Sequence, residues 1–154
     1  MHLTTIIRSA ALAAALCATA AFAQEAKLTA DATTLSDKGG VITFTATTSY
    51  EQTPGALGWS VVLPADWTLV AVAGTNVPEI APAPDATGTL EFAYTSPPAS
   101  SALFIVSVRY PARAASTKVT STAIVRTNGK LATLTPAAIE LKADRVVEAD
   151  HDSK

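Results

Sequence analysis

The sequence predicts an all-β protein, a two-sheet antiparallel β-sandwich of the jelly-roll type with about nine strands. Three observations support this fold class. After residue 23 the chain is rich in Thr, Val and Ala, and Gly, Pro, Asn or Asp interrupts it at short intervals, as turns between strands do. Several segments alternate apolar and polar residues with period two, which favours strands that bury one face. No long window after residue 23 carries an amphipathic helical pattern.

Residues 1–23 are typical of a bacterial secretory signal peptide that is cleaved from the mature protein. The single basic residue Arg8 precedes a short alanine-rich apolar run, and Ala21-Phe22-Ala23 places small residues at the −3 and −1 positions of a cleavage site. Removing 23 of the 154 residues leaves 131, a length that suits one domain. The segment predicts a protein that is exported to the periplasm or the extracellular space.

Cysteine content and charge exclude several classes of function for the mature chain. The only cysteine, Cys17, lies inside the apolar run, so neither a disulfide nor a reactive thiol would remain. Lipid attachment at Cys17 is disfavoured, because Leu16 stands where a lipobox has a small residue. Loss of Arg8 leaves ten basic against thirteen acidic residues, a net charge of −3, without the basic face that nucleic-acid binding needs. No second apolar run reaches the length of a membrane span.

The first half of the mature chain contains four predicted strands, at residues 27–33, 40–50, 56–63 and 67–73. In the second strand, apolar residues alternate with threonines: Ile42, Phe44 and Ala46 against Thr43, Thr45 and Thr47. In the third, one face carries Leu57, Trp59, Val61 and Leu63. Pro64 ends this strand because proline offers no N–H to a ladder. A tight turn at Ala65-Asp66 then leads to the fourth strand.

A proline-rich loop at residues 74–88 separates these strands from the second half of the chain. Its three prolines prevent both a helix and a central strand, so we expect an extended surface crossing. Asn128-Gly129, between two β-patterned runs, predicts a type I′ hairpin because both residue types tolerate positive φ. The other predicted strands lie at residues 89–95, 102–110 and 117–127, from residue 130 onwards, and at about 138–141. Residues 24–142 would form the domain, and the charged residues 143–154 a flexible tail.

Residues 39–92 follow a recognisable pattern. A glycine-led alternating strand precedes Ala56-Leu57-Gly58-Trp59 and then Leu63-Pro64-Ala65-Asp66-Trp67, and Gly88-Thr89-Leu90-Glu91-Phe92 follows the proline loop. The pattern resembles the cohesin-like and carbohydrate-binding-module-like jelly rolls of secreted bacterial proteins, in which a proline–tryptophan step follows the third strand. Asp66 stands where glycine is expected in that step. The resemblance implies a non-catalytic module that docks to a partner protein or to a polysaccharide.

Catalytic machinery is not indicated by the residues themselves. The mature chain has one histidine, His151 in the predicted tail, and lacks a Gly-x-Ser-x-Gly elbow, an HExxH pair and a glycine-rich phosphate loop. A glycosidase carboxylate pair assembled by the fold is the alternative that such motifs do not detect. We interpret Glu148, Asp150 and Asp152 as solvating residues rather than metal ligands. The sequence therefore predicts a protein that is not an enzyme, with no cofactor and no metal site.

Two aromatic residues, Tyr50 and Trp67, are candidate ligand contacts. Trp59 shares a face with apolar residues and is predicted to lie in the core. Trp67 follows a turn, where it would cap the core or touch a ligand. Tyr50 ends a strand beside the loop at residues 51–55 and is the better exposed candidate. The leading hypothesis is a cohesin-like protein-interaction module, favoured by a flat mixed patch, and the alternative is a carbohydrate-binding module, favoured by a row of exposed aromatics.

Overall fold

A computed structural model describes residues 24–144, so the predicted signal peptide and the last ten residues lie outside the described residues. Ten strands form two packed sheets, and the described residues contain no helix, which confirms the all-β sandwich. Within this part of the chain no helix has the length and apolar character to cross a membrane. The strands are β1 (Glu25–Ala30), β2 (Thr34–Leu35), β3 (Gly40–Ser49), β4 (Ala56–Val62), β5 (Thr68–Ala73), β6 (Thr89–Tyr94), β7 (Ser101–Tyr110), β8 (Thr117–Thr127), β9 (Lys130–Leu134) and β10 (Ile139–Ala143).

The chain changes sheet at every connection from β1 to β8. The first sheet has four strands in the order β1-β3-β7-β5. The second sheet has the order β2-β10-β8-β4-β6, with β9 also paired to β8. Each sheet therefore receives alternate strands from the same stretch of chain, so the two sheets of the sandwich are built together. The inward faces of both sheets together enclose a single core.

The strand predicted at residues 27–33 is wrong in its extent, because β1 ends at Ala30 and a separate strand, β2, follows at Thr34–Leu35. β1 pairs antiparallel with β3 in the first sheet. The chain then leaves that sheet at Asp31, whose Oδ1 accepts a hydrogen bond from the Thr43 N–H at 2.9 Å. β2 pairs with β10 in the second sheet, and this pairing is parallel. The sandwich is therefore not wholly antiparallel, and a two-residue strand is too short to show an alternation in the sequence.

The core is built from the inward positions that the alternating patterns predict. In β3 and β4 the predicted apolar faces are buried, and the threonines of β3 at positions 43, 45 and 47 lie on the other face. Phe104 lies at the centre, with ring centroids 6.0 Å from Trp59, 5.0 Å from Phe92 and 6.2 Å from Tyr94. The Trp59 indole Nε1–H donates to Thr48 Oγ1 at 2.8 Å. Trp59 is 2% exposed, so its predicted place in the core is confirmed.

Two tight turns depend on residues with positive φ. Asn128 has φ 51° and Gly129 has φ 75°, and Thr127 pairs with Lys130 across them, which confirms the predicted hairpin. At the other turn, Asp66 stands where glycine was expected and has φ 66°. Aspartate can take this position because it is among the few residues that enter the left-handed region at a small cost. The glycine-like backbone of the step is thus kept without glycine.

The proline-rich crossing agrees with its prediction, but the C-terminal boundary of the domain does not. Residues 74–88 cross from β5 in the first sheet to β6 in the second, as expected of a surface crossing, and Ile80 forms an isolated bridge to Ala93. β10 extends through Ala143, and the N–H of Asp144 donates to Leu35 O at 2.8 Å. Ordered pairing therefore continues beyond residue 142, where the tail was predicted to begin. The rest of that tail lies outside the described residues.

Candidate functional site

The two aromatic residues predicted as ligand contacts are both buried. Tyr50 is 5% exposed and Trp67 is 2% exposed. Tyr50 continues the inward alternation of β3, and its hydroxyl donates to Pro98 O. The Trp67 ring packs against Tyr110 with a centroid distance of 5.4 Å. The expected exposure of Tyr50 is therefore wrong, and a ligand contact by either ring stays a prediction that would require the end of the sandwich to open.

Burial extends to all the aromatic side chains of the described residues. None of them is more than 7% exposed. Sugar-binding sandwiches place flat rings where the apolar face of a sugar can stack on them. The surface of residues 24–144 presents no such ring. The buried set comprises Phe44, Tyr50, Trp59, Trp67, Phe92, Tyr94, Phe104 and Tyr110.

An apolar band crosses the outer face of the second sheet. The strand register places Ile80 opposite Ala93, Ala93 opposite Gly58, and Gly58 opposite Ile124. Ile80 is 57% exposed and Ile124 is 42% exposed, while the two small residues between them are half-buried. With about 4.8 Å between neighbouring strands, the band is about 14 Å long. We use the name apolar band for these four residues.

A shallow depression of about 280 Å³ lies over the apolar band. Ile80 and Ile124 line its two ends, and Gly58 lies between them, where no side chain fills the space. A Cβ added to Gly58 would meet the Phe92 carbonyl oxygen at 3.5 Å, an ordinary contact, and Gly58 is not among the residues with positive φ. The fold therefore does not require glycine here. Glycine inside a strand costs about 0.5–1 kcal/mol relative to alanine, and it often marks a place where a ligand or another chain approaches closely.

Polar and charged residues border the apolar band on both sides. On one side, Ser60 of β4 pairs with Glu91 of β6. On the other side, Arg126 of β8 pairs with Ala56 and with Leu131, which is 60% exposed. An apolar centre within a polar rim is the usual anatomy of a protein–protein interface. The second sheet thus presents a flat face of mixed character.

The described residues hold little that resembles acid–base machinery. Both histidines of the chain lie outside residues 24–144. Within that range no group of three His, Cys, Asp or Glu side chains converges in the way that a metal ion requires. Lys118 and Glu140 form an ion pair at 2.9 Å, but both side chains are largely exposed, so the pair contributes little to stability. Neither acid–base chemistry nor metal binding accounts for the exposed apolar band, so the band is the candidate site among the described residues.

Two tyrosines close one end of the sandwich. The Tyr94 hydroxyl donates to Asn76 O at 2.6 Å. Burial raises the pKa of Tyr94 well above 10.0, and repulsion from Tyr50 when it ionises in alkali and from the Glu79 carboxylate adds to the effect. Burial also raises the pKa of Tyr50. Both hydroxyls therefore stay protonated at neutral pH and serve as hydrogen-bond donors to the backbone.

Alkali is expected to destabilise the protein once the pH passes 10. The unfolded chain then releases the Tyr94 proton, while the folded chain retains it because its pKa is raised. Each pH unit in this range lowers the free energy of unfolding by about 1.4 kcal/mol per retained proton. Denaturant unfolding at about pH 8 and about pH 11 should show a smaller loss in Tyr94→Phe than in the wild type. An equal loss in the two proteins would contradict this assignment.

Comparison with known proteins shows a relationship of fold. No family model matches the chain, and no curated protein matches it. Among solved structures, a type II cohesin domain from the cellulosome of Acetivibrio cellulolyticus aligns with a TM-score of 0.55 at 11% identity, over 77% of this chain and 94% of that one. The sporulation control protein Spo0M from Bacillus subtilis aligns at 9% identity over 80% of this chain and 50% of that one, but its TM-score of 0.41 carries no argument. The chain has a cohesin-like β-sandwich fold, as the sequence resemblance implied.

Proposed function

We propose that this protein is a non-catalytic binding module that docks a partner protein on the apolar band of the second sheet. The observation that carries the proposal is Gly58, a glycine that the strand does not need and that opens a depression between two exposed isoleucines. The cohesin-like fold supports the same class of function. The depression is wide and shallow, so it suits a contact between two surfaces better than the enclosure of a small molecule.

A protein partner fits this face better than a polysaccharide does. The face combines exposed isoleucines with a rim that contains Glu91 and Arg126, and such a mixture is found in protein interfaces. A polysaccharide site would instead need exposed rings, and the aromatic side chains of residues 24–144 are buried. Stable protein interfaces bury about 800 Å² on each partner, so the apolar band would form the centre of a larger contact that includes this rim.

Filling the depression is expected to abolish docking while leaving the fold intact. A Gly58→Val variant places a β-branched side chain over the apolar band, and it should keep or raise the free energy of unfolding by up to about 1 kcal/mol. Wild type and variant would be used as bait for proteins from the native envelope and medium. We expect a protein that the wild type captures and Gly58→Val does not.

The matched control for this experiment is Val41→Asp. Val41 is 53% exposed on the outer face of the first sheet, so its change alters an exposed apolar residue away from the apolar band. This variant should capture the same protein as the wild type. Capture that survives in Gly58→Val, or that is lost equally in Val41→Asp, would contradict docking at the band. Retention of a polysaccharide by the wild type would favour the carbohydrate-binding alternative.

We also propose that the protein acts outside the cytoplasm. The pattern that ends in Ala21-Phe22-Ala23 supports export, and the single cysteine lies before the expected cleavage site. Mass spectrometry of the protein recovered from the periplasm or the medium should give a chain that starts at Gln24. A recovered chain that retains Cys17 with an attached lipid would contradict cleavage at this site.

A further inference from the structure

Within the described residues, the edges at β5 and β6 are covered by the protein itself, and those at β1 and β2 are protected in other ways. At β5, the Leu69 N–H donates to Ala86 O at 2.9 Å, so the crossing segment covers that edge. At β6, Ile80 and Ala93 exchange hydrogen bonds of 3.1 and 2.9 Å. β2 is only two residues long, and β1 carries an acidic and a basic side chain. These are the usual ways in which proteins prevent an edge strand from pairing with another chain.

The edge formed by β9 is different. Within the described residues β9 pairs with β8 alone. The two-residue hairpin makes Thr127 and Lys130 a hydrogen-bonded pair, so the N–H and C=O groups of Leu131 and Thr133 point away from β8. Leu131 is 60% exposed, more than any other large apolar residue of residues 24–144. β9 therefore offers a row of backbone donors and acceptors to an added strand.

The outer edge of β9, which no strand of residues 24–144 pairs with, is complementary to itself. If two copies pair antiparallel about an axis at Ala132, Leu131 of each copy lies opposite Thr133 of the other, and each such pair can exchange both backbone hydrogen bonds. Lys130 then lies opposite Leu134, so the two lysines do not meet. A contact in which the same patch faces itself is what a two-fold dimer requires.

Hydrogen bonds from described residues near β9 hold the hairpin in place, and these residues do not cover its edge. The Asn128 Nδ2–H donates to Gln52 Oε1 at 3.0 Å, and the Gln24 Nε2–H donates to Thr127 Oγ1 at 3.1 Å. These bonds tie the hairpin to the loop after β3 and to the start of β1. A cavity of about 390 Å³ opens beside Leu131 between these elements, which leaves room for side chains of an approaching strand.

We propose that this chain forms a two-fold homodimer in which β9 pairs antiparallel with β9 of a second copy. The second sheets of the two copies then become one continuous sheet, with the two apolar bands on the same side. The strand is short and Lys130 flanks it, so the dimer is expected to be weak and to depend on protein concentration. This inference does not depend on the proposed docking of a partner protein.

The oligomeric state in solution tests the proposal. Sedimentation of the purified protein over a range of concentrations should show a monomer–dimer equilibrium. Thr133→Pro should stay monomeric, because proline removes one outward N–H and its ring blocks the added strand. Thr133→Ser keeps the N–H and should dimerise like the wild type. A wild type that is monomeric at the highest attainable concentration, or a folded Thr133→Pro that dimerises normally, would overturn the proposal.

A cross-linking experiment tests the register of the pairing and does not depend on a proline variant. In a Cys17→Ser background, Ala132→Cys places the two introduced thiols opposite each other, with Cα atoms about 4.5 Å apart, within the range of a disulfide. Mild oxidation should therefore give a covalent dimer. Lys130→Cys lies opposite Leu134 and should not cross-link. No cross-link at residue 132, or equal cross-linking at both positions, would overturn the proposal, whereas Gly58→Val should leave dimerisation unchanged.

Discussion

Replacing Trp59 with alanine is expected to lower the free energy of unfolding by about 3–5 kcal/mol. The indole is 2% exposed and meets the Phe104 ring edge-on at 6.0 Å, so its removal leaves a cavity between the two sheets. The change also leaves Thr48 Oγ1 without the N–H that it accepts at 2.8 Å. Thr48 is fully buried, so water cannot easily replace that donor. Denaturant unfolding would measure the effect.

Two further variants separate the cavity from the hydrogen bond. Trp59→Phe keeps most of the apolar volume but removes the donor, and Thr48→Val removes the acceptor and leaves the indole N–H buried without a partner. Each should cost about 1–3 kcal/mol. The double variant should cost less than the sum of the two, because it leaves neither polar group alone. An unchanged unfolding curve for Trp59→Ala would contradict the place of Trp59 in the core.

Gly39→Ala is expected to cost about 2–4 kcal/mol, although only one methyl group is added. Gly39 has φ 78°, a region in which a residue with a side chain is strained by about 1–2 kcal/mol. An added Cβ would also lie 2.8 Å from Ala112 N and 3.0 Å from Tyr110 O. Both are backbone atoms, the first in the segment after β7 and the second in Tyr110, the last residue of β7. The Arg113 N–H donates to Asp37 O at 2.8 Å and holds this segment in place.

Gly129→Ala is the matched control for this variant. Gly129 has φ 75°, close to that of Gly39, but an added Cβ would meet no other atom within 4 Å. Its cost should be limited to the strain of positive φ, about 1 kcal/mol. The difference between the two unfolding free energies then measures the close approach at Gly39. Equal costs for the two variants would show that the segment after β7 moves aside without penalty.

Much of the fold could be predicted from local patterns because a half-buried strand repeats every two residues. β3, β4, β6 and β8 have this period, and Asn128-Gly129 fixes the hairpin between β8 and β9. β2 could not be predicted, because two residues carry no period. Its parallel pairing with β10 joins the two ends of the described chain, and no local pattern contains that information.

The candidate site was harder to predict than the fold. Ile80 belongs to the proline loop, Gly58 and Ile124 belong to separate strands, and only the sheet register brings them together. A glycine in the middle of a strand pattern was the available signal for the depression. Tyr50 could have been placed correctly by continuing the inward positions of β3 for one more step. The turn-like loop after it suggested exposure, but the tertiary structure closes over the ring.

The change of sheet at every connection from β1 to β8 also affects the rate at which the chain folds. Within the described residues, only the β8–β9 hairpin joins consecutive strands as neighbours in one sheet. The other strands must find partners far away in sequence, and all-β sandwiches dominated by such contacts fold in milliseconds to seconds. A chain that folds slowly stays unfolded for longer after it is made. That delay is compatible with the export proposed for this protein.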